Sequence, residues 1–424
     1  MRAAAAPLMS LEEAVGRLQA AAQARRIVQS ESLSTFDALG RVLAQPIVSG
    51  IDVPPADNTS MDGYALRAAD VPMPGVRLRV AQRIPAGVVG QRLEAGTAAR
   101  IFTGAQIPAG ADAVVMQEQC LAHPDPHGSS LGEVTVQSDV VAGQWIRRRA
   151  EDIGAGSTVL EAGIRLNPQA LGLAASVGCD RVNVLRRPRV ALFSTGDELV
   201  MPGQVPPDQL PPGAIYNSNR YTLRALLLAA GCDVTDLGIV PDRLEATRHA
   251  LREAAAGHDL ILTSGGVSVG EEDHIKPAMQ AEGELSLWQM AIKPGKPLAF
   301  GSVGRGPQAH QALFVGLPGN PVSSFVTFLV AVAPLLRALQ GLPAAEAAGL
   351  GLKAAFDWPK PDRRREFLRA RRTAEGGLEL FPNQSSGVLT SAVWADGLVD
   401  NPAGQAIRRG DTVRFLPFSE LISA

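Results

Sequence analysis

Between Pro188 and Leu339, short apolar runs alternate with amphipathic runs of helical length. This alternation constrains the fold more than any other feature of the chain. Arg189–Phe193, Asp233–Val240, Asp259–Thr263, Leu285–Ile292 and Leu313–Gly316 read as strands. Asn217–Gly231, Arg243–Ala256, a segment near His274–Ala281 and Val322–Leu339 read as helices. Strands joined through helices lie parallel, with right-handed crossovers. The expectation is a doubly wound, mostly parallel α/β domain.

The flanking segments have a different texture. Ser10-Leu-Glu-Glu13 is a capping box ahead of a helical face made by Leu11, Val15 and Leu18 with Ala14, Ala21 and Ala22. Residues 75–145 alternate apolar and polar positions in short runs broken by glycine, which predicts a small β-rich module. Its most polar loop, His123–Ser130, has two histidines four apart. Pro124 and Pro126 preclude the helix that would align them, so an exposed hairpin tip is expected. After Ala348 the helical pattern stops. Glu366–Ala370, Leu378–Phe381 and Thr412–Phe418 predict a terminal β-domain.

In an open parallel sheet, ligands bind beyond the carboxyl ends of the strands. Five segments at or near such ends are built from Gly, Pro, hydroxyls and charges: STGDE (194–198), PD (241–242), SGGVSVGEED (264–273), KPGKP (293–297) and LPGNP (317–321). Ser264, Gly265, Gly266 and Ser268 suit close approach to an oxyanion, because glycine lets backbone amides come near and serine adds a donor. Pro318 and Asn320 precede a helix start whose amides attract phosphate. Lys293 and Lys296 flank Pro-Gly and are expected to face one anion. Each charge at about 4 Å is worth on the order of 4 kcal/mol at an effective dielectric of ~20. Glu198, Asp242 and Asp273 leave three strands and suit Mg²⁺, which takes one or two carboxylates plus waters and phosphate. His274 has no partner at ligand spacing and reads as packing. Upstream, Asp57-Asn-Thr-Ser-Met-Asp62 is more polar than turn capping requires, and Ile101-Phe-Thr103-Gly is a strand ending in Thr-Gly.

Composition narrows the class. Lys and Arg number 40 against 42 Asp and Glu, and aromatics are 4 %, which argues against a nucleic-acid clamp or a base-stacking platform. The length of 424 residues implies two to four domains. Cys120, Cys179 and Cys232 are too far apart for a zinc or dithiol motif and suit a reducing compartment. Glu12, Glu13 and Arg17 interrupt any signal-peptide core, and Val322–Leu336 reads as a buried helix. A cytoplasmic protein without a membrane partner is expected.

The strings DNTSMDGYA (57–65), IFTGA (101–105), RRRAEDI (147–153), STGDEL (194–199), SGGVSVGEED (264–273), KPGKP (293–297) and LPGNP (317–321) occur in this order. Together they resemble the molybdopterin molybdenumtransferases, the MoeA family, which includes the E domain of gephyrin. The resemblance covers essentially the whole chain. It implies a multidomain α/β homodimer with four domains. These would be a split N-terminal helical domain (1–48 and 151–186), an inserted β-rich domain (49–150), the doubly wound molybdopterin-binding domain (187–341) and a C-terminal β-barrel (342–424). It also implies a reaction in molybdenum cofactor biosynthesis: molybdate enters adenylyl-molybdopterin and AMP is released, with Mg²⁺ as cofactor.

By the same resemblance, Asp62, Thr103, Glu198, Asp242 and Asp273 are catalytic, the last three as metal ligands, and Asp152 is functional. Lys293, Lys296 and Pro297 belong to the molybdate and phosphate pocket, and Arg369 and Ser386 are anion-binding. Family dimers place sites between subunits, so Asp62 and Thr103 would act in trans. Other cofactor-biosynthesis enzymes are candidate partners. Two rivals are a molybdopterin adenylyltransferase, which shares the SGGVS and LPGNP loops, and a gephyrin-like scaffold.

Overall fold

The computed structural model describes residues 8–266, 274–304, 311–344 and 348–423. By its contacts the chain divides into two compact units. One comprises Met1–Glu31, Gly40–Ala44 and Val184–Ala424, and the other Ser32–Leu39 and Gln45–Asn183.

The first unit is built on a six-stranded sheet, whose strands we label β1 (Arg189–Thr195), β2 (Asp233–Val240), β3 (Leu260–Ser264), β4 (Gly283–Gln289), β5 (Pro297–Val303) and β6 (Ala312–Leu317). Their spatial order is β2-β1-β3-β6-β5-β4. The pairs β1·β2, β1·β3 and β3·β6 are parallel, whereas β5 pairs antiparallel with both β6 and β4. The sheet is therefore mixed, with a parallel half and an antiparallel edge. The central parallel strands β1, β3 and β6 are buried over nearly their whole length and largely apolar, because both faces are covered. Val190, Leu192, Leu260, Leu262, Leu313 and Val315 join one core, and Ala191, Phe193, Ile261 and Phe314 join the core on the opposite face.

β5 was not foreseen, because it begins in Pro297 and carries Gly301 and Ser302. Gly301 is required there, since a Cβ would lie 1.9 Å from the Glu284 carbonyl oxygen. The run expected as one strand, Leu285–Ile292, is divided. Its first part is β4, while Ile292–Lys293 pairs with Arg365–Glu366 in the terminal sheet. The two parts meet at a tight turn where the Met290 N–H donates to the Lys296 carbonyl at 2.7 Å.

The helix Leu11–Gln23 is capped by Ser10 Oγ, which accepts from the Glu13 N–H at 3.1 Å. Although the expected boundaries group residues 1–48 with 151–186, its Ala14, Leu18 and Ala22 are buried in the core of the unit that holds the α/β sheet. The run Pro321–Leu339 is apolar and long enough to cross a membrane, yet 83 % of it is buried inside the fold. It is a core helix interrupted by a π-helical stretch at Phe328–Val332. Pro334 follows that stretch and lacks an N–H for the preceding turn, which accounts for the widening.

The terminal sheet orders its strands Ile292–Lys293, Arg365–Arg372, Gly397–Asn401, Thr412–Pro417 and Leu350–Lys353, with Leu378–Leu380 alongside Arg365–Arg372. An Ala354–Leu378 bridge ties its far strands together.

The second unit contains the β-rich module, with strand order Ala113–Met116, Gly63–Leu66, Thr97–Ile101, Arg77–Ile84, Glu133–Val136 and Cys120–His123. Alternate residues face two cores: Tyr64 and Leu66 one, Ala65 the other. The 124–132 turn is the exposed hairpin tip expected from its prolines, organised by Asp125 accepting from Ser129, Ser130 and the His127 N–H. His123 is engaged with Thr135 Oγ1 at 2.9 Å.

Candidate functional site

Three adjacent parallel strands end together. Ser194 Oγ and Ser264 Oγ are 3.2 Å apart across β1 and β3. The chain after β3 turns through Gly265 and Gly266 in the left-handed region, at φ of +87° and +67°. A side chain at Gly265 would come within 2.9 Å of the Thr195 carbonyl oxygen. Glycine is thus required for β1 and β3 to end this close together. The Gly265 N–H donates to the Leu317 carbonyl at 3.1 Å, linking the SGG turn to the LPGNP turn after β6. Asn219 Nδ2 donates to the Gly319 carbonyl at 2.8 Å, and Ser324 Oγ donates to the Pro318 carbonyl.

The same turn gathers the other motifs. Gly295 of KPGKP packs so closely on the following helix that a Cβ would lie 2.3 Å from Thr327 Oγ1. The Val322 N–H donates to the Ser386 carbonyl at 3.0 Å. This corrects one expectation. Pro321 has no N–H and the Val322 N–H is taken by Ser386, so the helix start offers fewer amides to a phosphate than the motif suggested. Asn320 is exposed and makes no side-chain cap.

Pro297 opens β5, and its neighbour Lys296 lines a cavity of about 510 Å³ with Leu8, Asp362, Arg363 and Arg364. Lys293 is paired with carboxylates. Its Nζ lies 3.3 Å from Glu366 Oε1 and 3.5 Å from Asp362 Oδ2. Glu366 is fully buried and also accepts from Trp358 Nε1 at 2.8 Å and Asn401 Nδ2 at 3.3 Å. The expectation that both lysines face one anion is therefore modified: Lys293 is held by two carboxylates, while Lys296 faces the cavity.

Arg364 donates twice to Asp362 at 2.9 Å, and its guanidinium, with Lys293 as a lesser influence, holds the Asp362 carboxyl far below the usual range. Asp362, Arg363, Arg364 and Glu366 were not singled out from the sequence. The signal was the charge run DRRRE (362–366) immediately ahead of a strand.

Arg369 is fully buried. Its guanidinium donates to Ser391 Oγ, the Phe367 carbonyl and the Ser385 carbonyl at 3.1, 3.0 and 3.4 Å. With no carboxylate paired to it among the described residues, burial pushes its pKa down to about 10. In this conformation it anchors the Ser385–Ser386 loop rather than presenting charge to solvent. Gln384 reinforces that anchor by accepting from the Arg369 N–H and donating to the Arg369 and Phe381 carbonyls.

The acidic residues are more open. Thr195 and Val240 are register partners on β1 and β2, so Glu198 and Asp242 follow three and two residues beyond neighbouring positions. Glu198 is exposed and Asp242 half-buried. Ser268 and Asp273 lie outside the described residues. Among the described residues no three of His, Cys, Asp and Glu stand close enough to hold a metal. Glu198 and Asp242 supply oxygen donors after adjacent strands, the donor type that Mg²⁺ takes together with phosphate and water.

In the second unit, Asp62 Oδ1 accepts from both the N–H and the hydroxyl of Thr103, each at 2.8 Å. These two donors, helped by the charge of Arg100, hold the Asp62 carboxyl below its ordinary pKa. The acid is thereby kept ionised and oriented at the surface. Asp57 binds Arg148 and the Arg149 N–H, so the DNTSMD and RRRAEDI strings touch. Asp152 is exposed nearby in sequence, its N–H on the Val53 carbonyl.

Family comparisons agree with this order of motifs. Models described as "MoeA N-terminal region (domain I and II)", "Probable molybdopterin binding domain" and "MoeA C-terminal region (domain IV)" match residues 9–178, 191–338 and 352–418. A molybdopterin molybdenumtransferase from Haemophilus influenzae is 43 % identical over 314 residues, 74 % of each chain. Molybdopterin molybdenumtransferase 2 from Mycobacterium tuberculosis is 35 % identical over 393 residues, covering 90 % of this chain and 93 % of the relative. The solved molybdopterin biosynthesis MoeA protein from Pyrococcus horikoshii OT3 superposes with a TM-score of 0.80 at 28 % identity, over 96 % of this chain and 99 % of that one. A chain that carries these regions in sequence, and matches such relatives over most of its length, belongs to the molybdopterin molybdenumtransferase (MoeA) family.

Proposed function

We propose that this protein inserts molybdate into adenylyl-molybdopterin in molybdenum cofactor biosynthesis. Molybdate becomes bound by the dithiolene sulfurs, the phosphoanhydride is hydrolysed, and AMP leaves. The observation that carries the reading is the junction at Leu317–Thr327, where the SGG turn, KPGKP and the Ser386 loop all make contact. Lys296 with the cavity beside it supplies positive charge for a tetrahedral oxyanion. Ser264 and the turn through Gly265, Gly266 and Pro318 shape the neighbouring wall, where the pterin is placed. Glu198 and Asp242 would hold Mg²⁺, which when bound offsets the charge of the departing phosphate. Asp273 and Ser268 are proposed for the same site from their motif alone. Asp62, kept ionised by Thr103, serves as an acceptor toward the substrate.

The remaining family features are proposed with it: a cytoplasmic homodimer, Asp62 and Thr103 acting on the partner's substrate, the four domain boundaries given above, and a barrel-like terminal domain. The Ala354–Leu378 bridge favours the barrel.

The test is a reconstitution of the purified chain with adenylyl-molybdopterin, Mg²⁺ and molybdate. AMP release that depends on molybdate, with Mo-molybdopterin as product, is the expected result. Adenylylation of molybdopterin from ATP without molybdate would mark the adenylyltransferase instead. Mixed Asp62→Ala and Glu198→Ala proteins should recover activity if sites are shared between subunits. No recovery rejects the shared arrangement.

A further inference from the structure

The cavity beside Lys296 holds charges that the sequence motifs do not include. Its wall carries Lys296, Arg363 and Arg364 against one acid, Asp362. Arg364 is engaged by Asp362 through both its Nε and its terminal nitrogen. Neither Lys296 nor Arg363 has an ion-pair partner among the described residues. Two cations without counter-charge face one space, and that matches a doubly charged ligand.

The placement of Arg363 is built rather than incidental. Asp362 Oδ1 accepts from the Arg364 N–H at 3.1 Å as well as from its guanidinium. That closes a ring around residue 363 and leaves it at the apex of a tight turn. The Asp362 carbonyl is itself fixed by the Gly404 N–H at 2.8 Å, and its carboxylate by Lys293. The turn leads directly into the buried strand Arg365–Arg372, which gives it a rigid base.

We propose that Arg363 and Lys296 form a two-point clamp for a tetrahedral dianion, with the Asp362–Arg364 ring as its positioning device. The inference deepens the function proposed above and rests on it for the identity of the dianion. Two sources share this chemistry: molybdate itself and the phosphate of the pterin substrate. Asp362 lines the same wall, so the clamp discriminates by geometry as well as by charge. Only a ligand that reaches both cations while staying clear of the carboxylate is held.

The experiment titrates the full chain with sodium molybdate and, separately, with inorganic phosphate at constant ionic strength, following heat of binding and thermal midpoint. Arg363→Ala should weaken at least one anion on the order of tenfold with the midpoint unmoved, and Arg363→Lys should recover part of the loss. Loss for molybdate alone identifies the cargo oxyanion, loss for phosphate alone identifies the phosphate group, and loss for both shows a clamp that takes either tetrahedral dianion. Asp362→Asn separates position from charge. Removing a negative charge strengthens anion binding if charge alone matters and weakens it if the ring positions Arg363. Tighter binding in Asp362→Asn overturns the positioning role. Unchanged affinity for both anions in Arg363→Ala, or no binding of either by the unsubstituted protein, overturns the clamp. Binding is read without turnover, so a failed reconstitution with an intact Arg363 effect sinks the reaction and not the clamp.

Discussion

Asp62 with Thr103 and Lys293 with Glu366 are both acid-centred pairs that involve a family motif, yet they are built differently. Asp62 is at the surface and is held by two donors of one residue. Glu366 has no exposure and collects donors from three separate segments, Lys293, Trp358 and Asn401. A carboxylate in water loses little when a partner is removed. Removing a buried one takes an acceptor from several donors at once, in a place that water reaches poorly. The first pair is therefore free to serve chemistry, while the second holds KPGKP against the terminal sheet.

The contrast breaks most visibly at Glu366. Glu366→Ala should lose about 3 kcal/mol of unfolding free energy, because Trp358 loses its acceptor while Asn401 and Lys293 each lose one of two. Urea denaturation measures this, and a loss below ~1 kcal/mol would show that the network is not structural. Gly295→Ala comes next. Its new methyl meets Thr327 Oγ1 at a backbone φ of +107°, and overpacking of this kind costs about 2 kcal/mol. A crystal structure should show KPGKP displaced from the helix, and an unmoved loop would contradict the close packing of Gly295 on Thr327.

Asp362 sharpens the comparison through pH. Its carboxyl is depressed in the folded state, so its contribution is present above the ordinary aspartate range and is lost as pH falls through the depressed value. Asp362→Asn should reduce the fall in unfolding free energy between pH 5 and pH 3 by a fraction of a kcal/mol, read from urea denaturation. A slope equal to that of the parent protein would remove Asp362 from the set of acid-sensitive groups.

The smallest effect on the fold is expected at Asp62. Its pKa is also depressed, so the sign of its pH dependence is the same, but it is only partly shielded from solvent. Asp62→Asn should leave the urea midpoint at neutral pH within error while lowering molybdate-dependent AMP release at least tenfold. A variant with normal turnover would separate the Asp62–Thr103 pair from the reaction.

Much of this was legible in the residue order. The parallel half of the sheet follows from apolar runs at Val190–Phe193, Leu260–Thr263 and Leu313–Gly316, because a strand covered on both faces must be apolar at every position. The opening helix follows from Ser10 and Glu13. β5 and Gly397–Asn401 were not legible. The first begins at a proline and contains a glycine, and the second carries Asp400 and Asn401 in fully buried positions. Those polar residues are tolerated only because Arg365, Arg414 and Glu366 reach them from other strands.

The sequence alone determined the family, the mixed α/β character and the short list of polar turns, since these depend on local pattern and on strings that stay together in the chain. Tertiary structure decided which charges remain available. Lys293 and Lys296 are three residues apart and look equivalent in the motif. Asp362 and Glu366, about 70 residues further on, engage Lys293 and leave Lys296 to the cavity. Electrostatic partnership depends on distance through space, and only folding sets that distance.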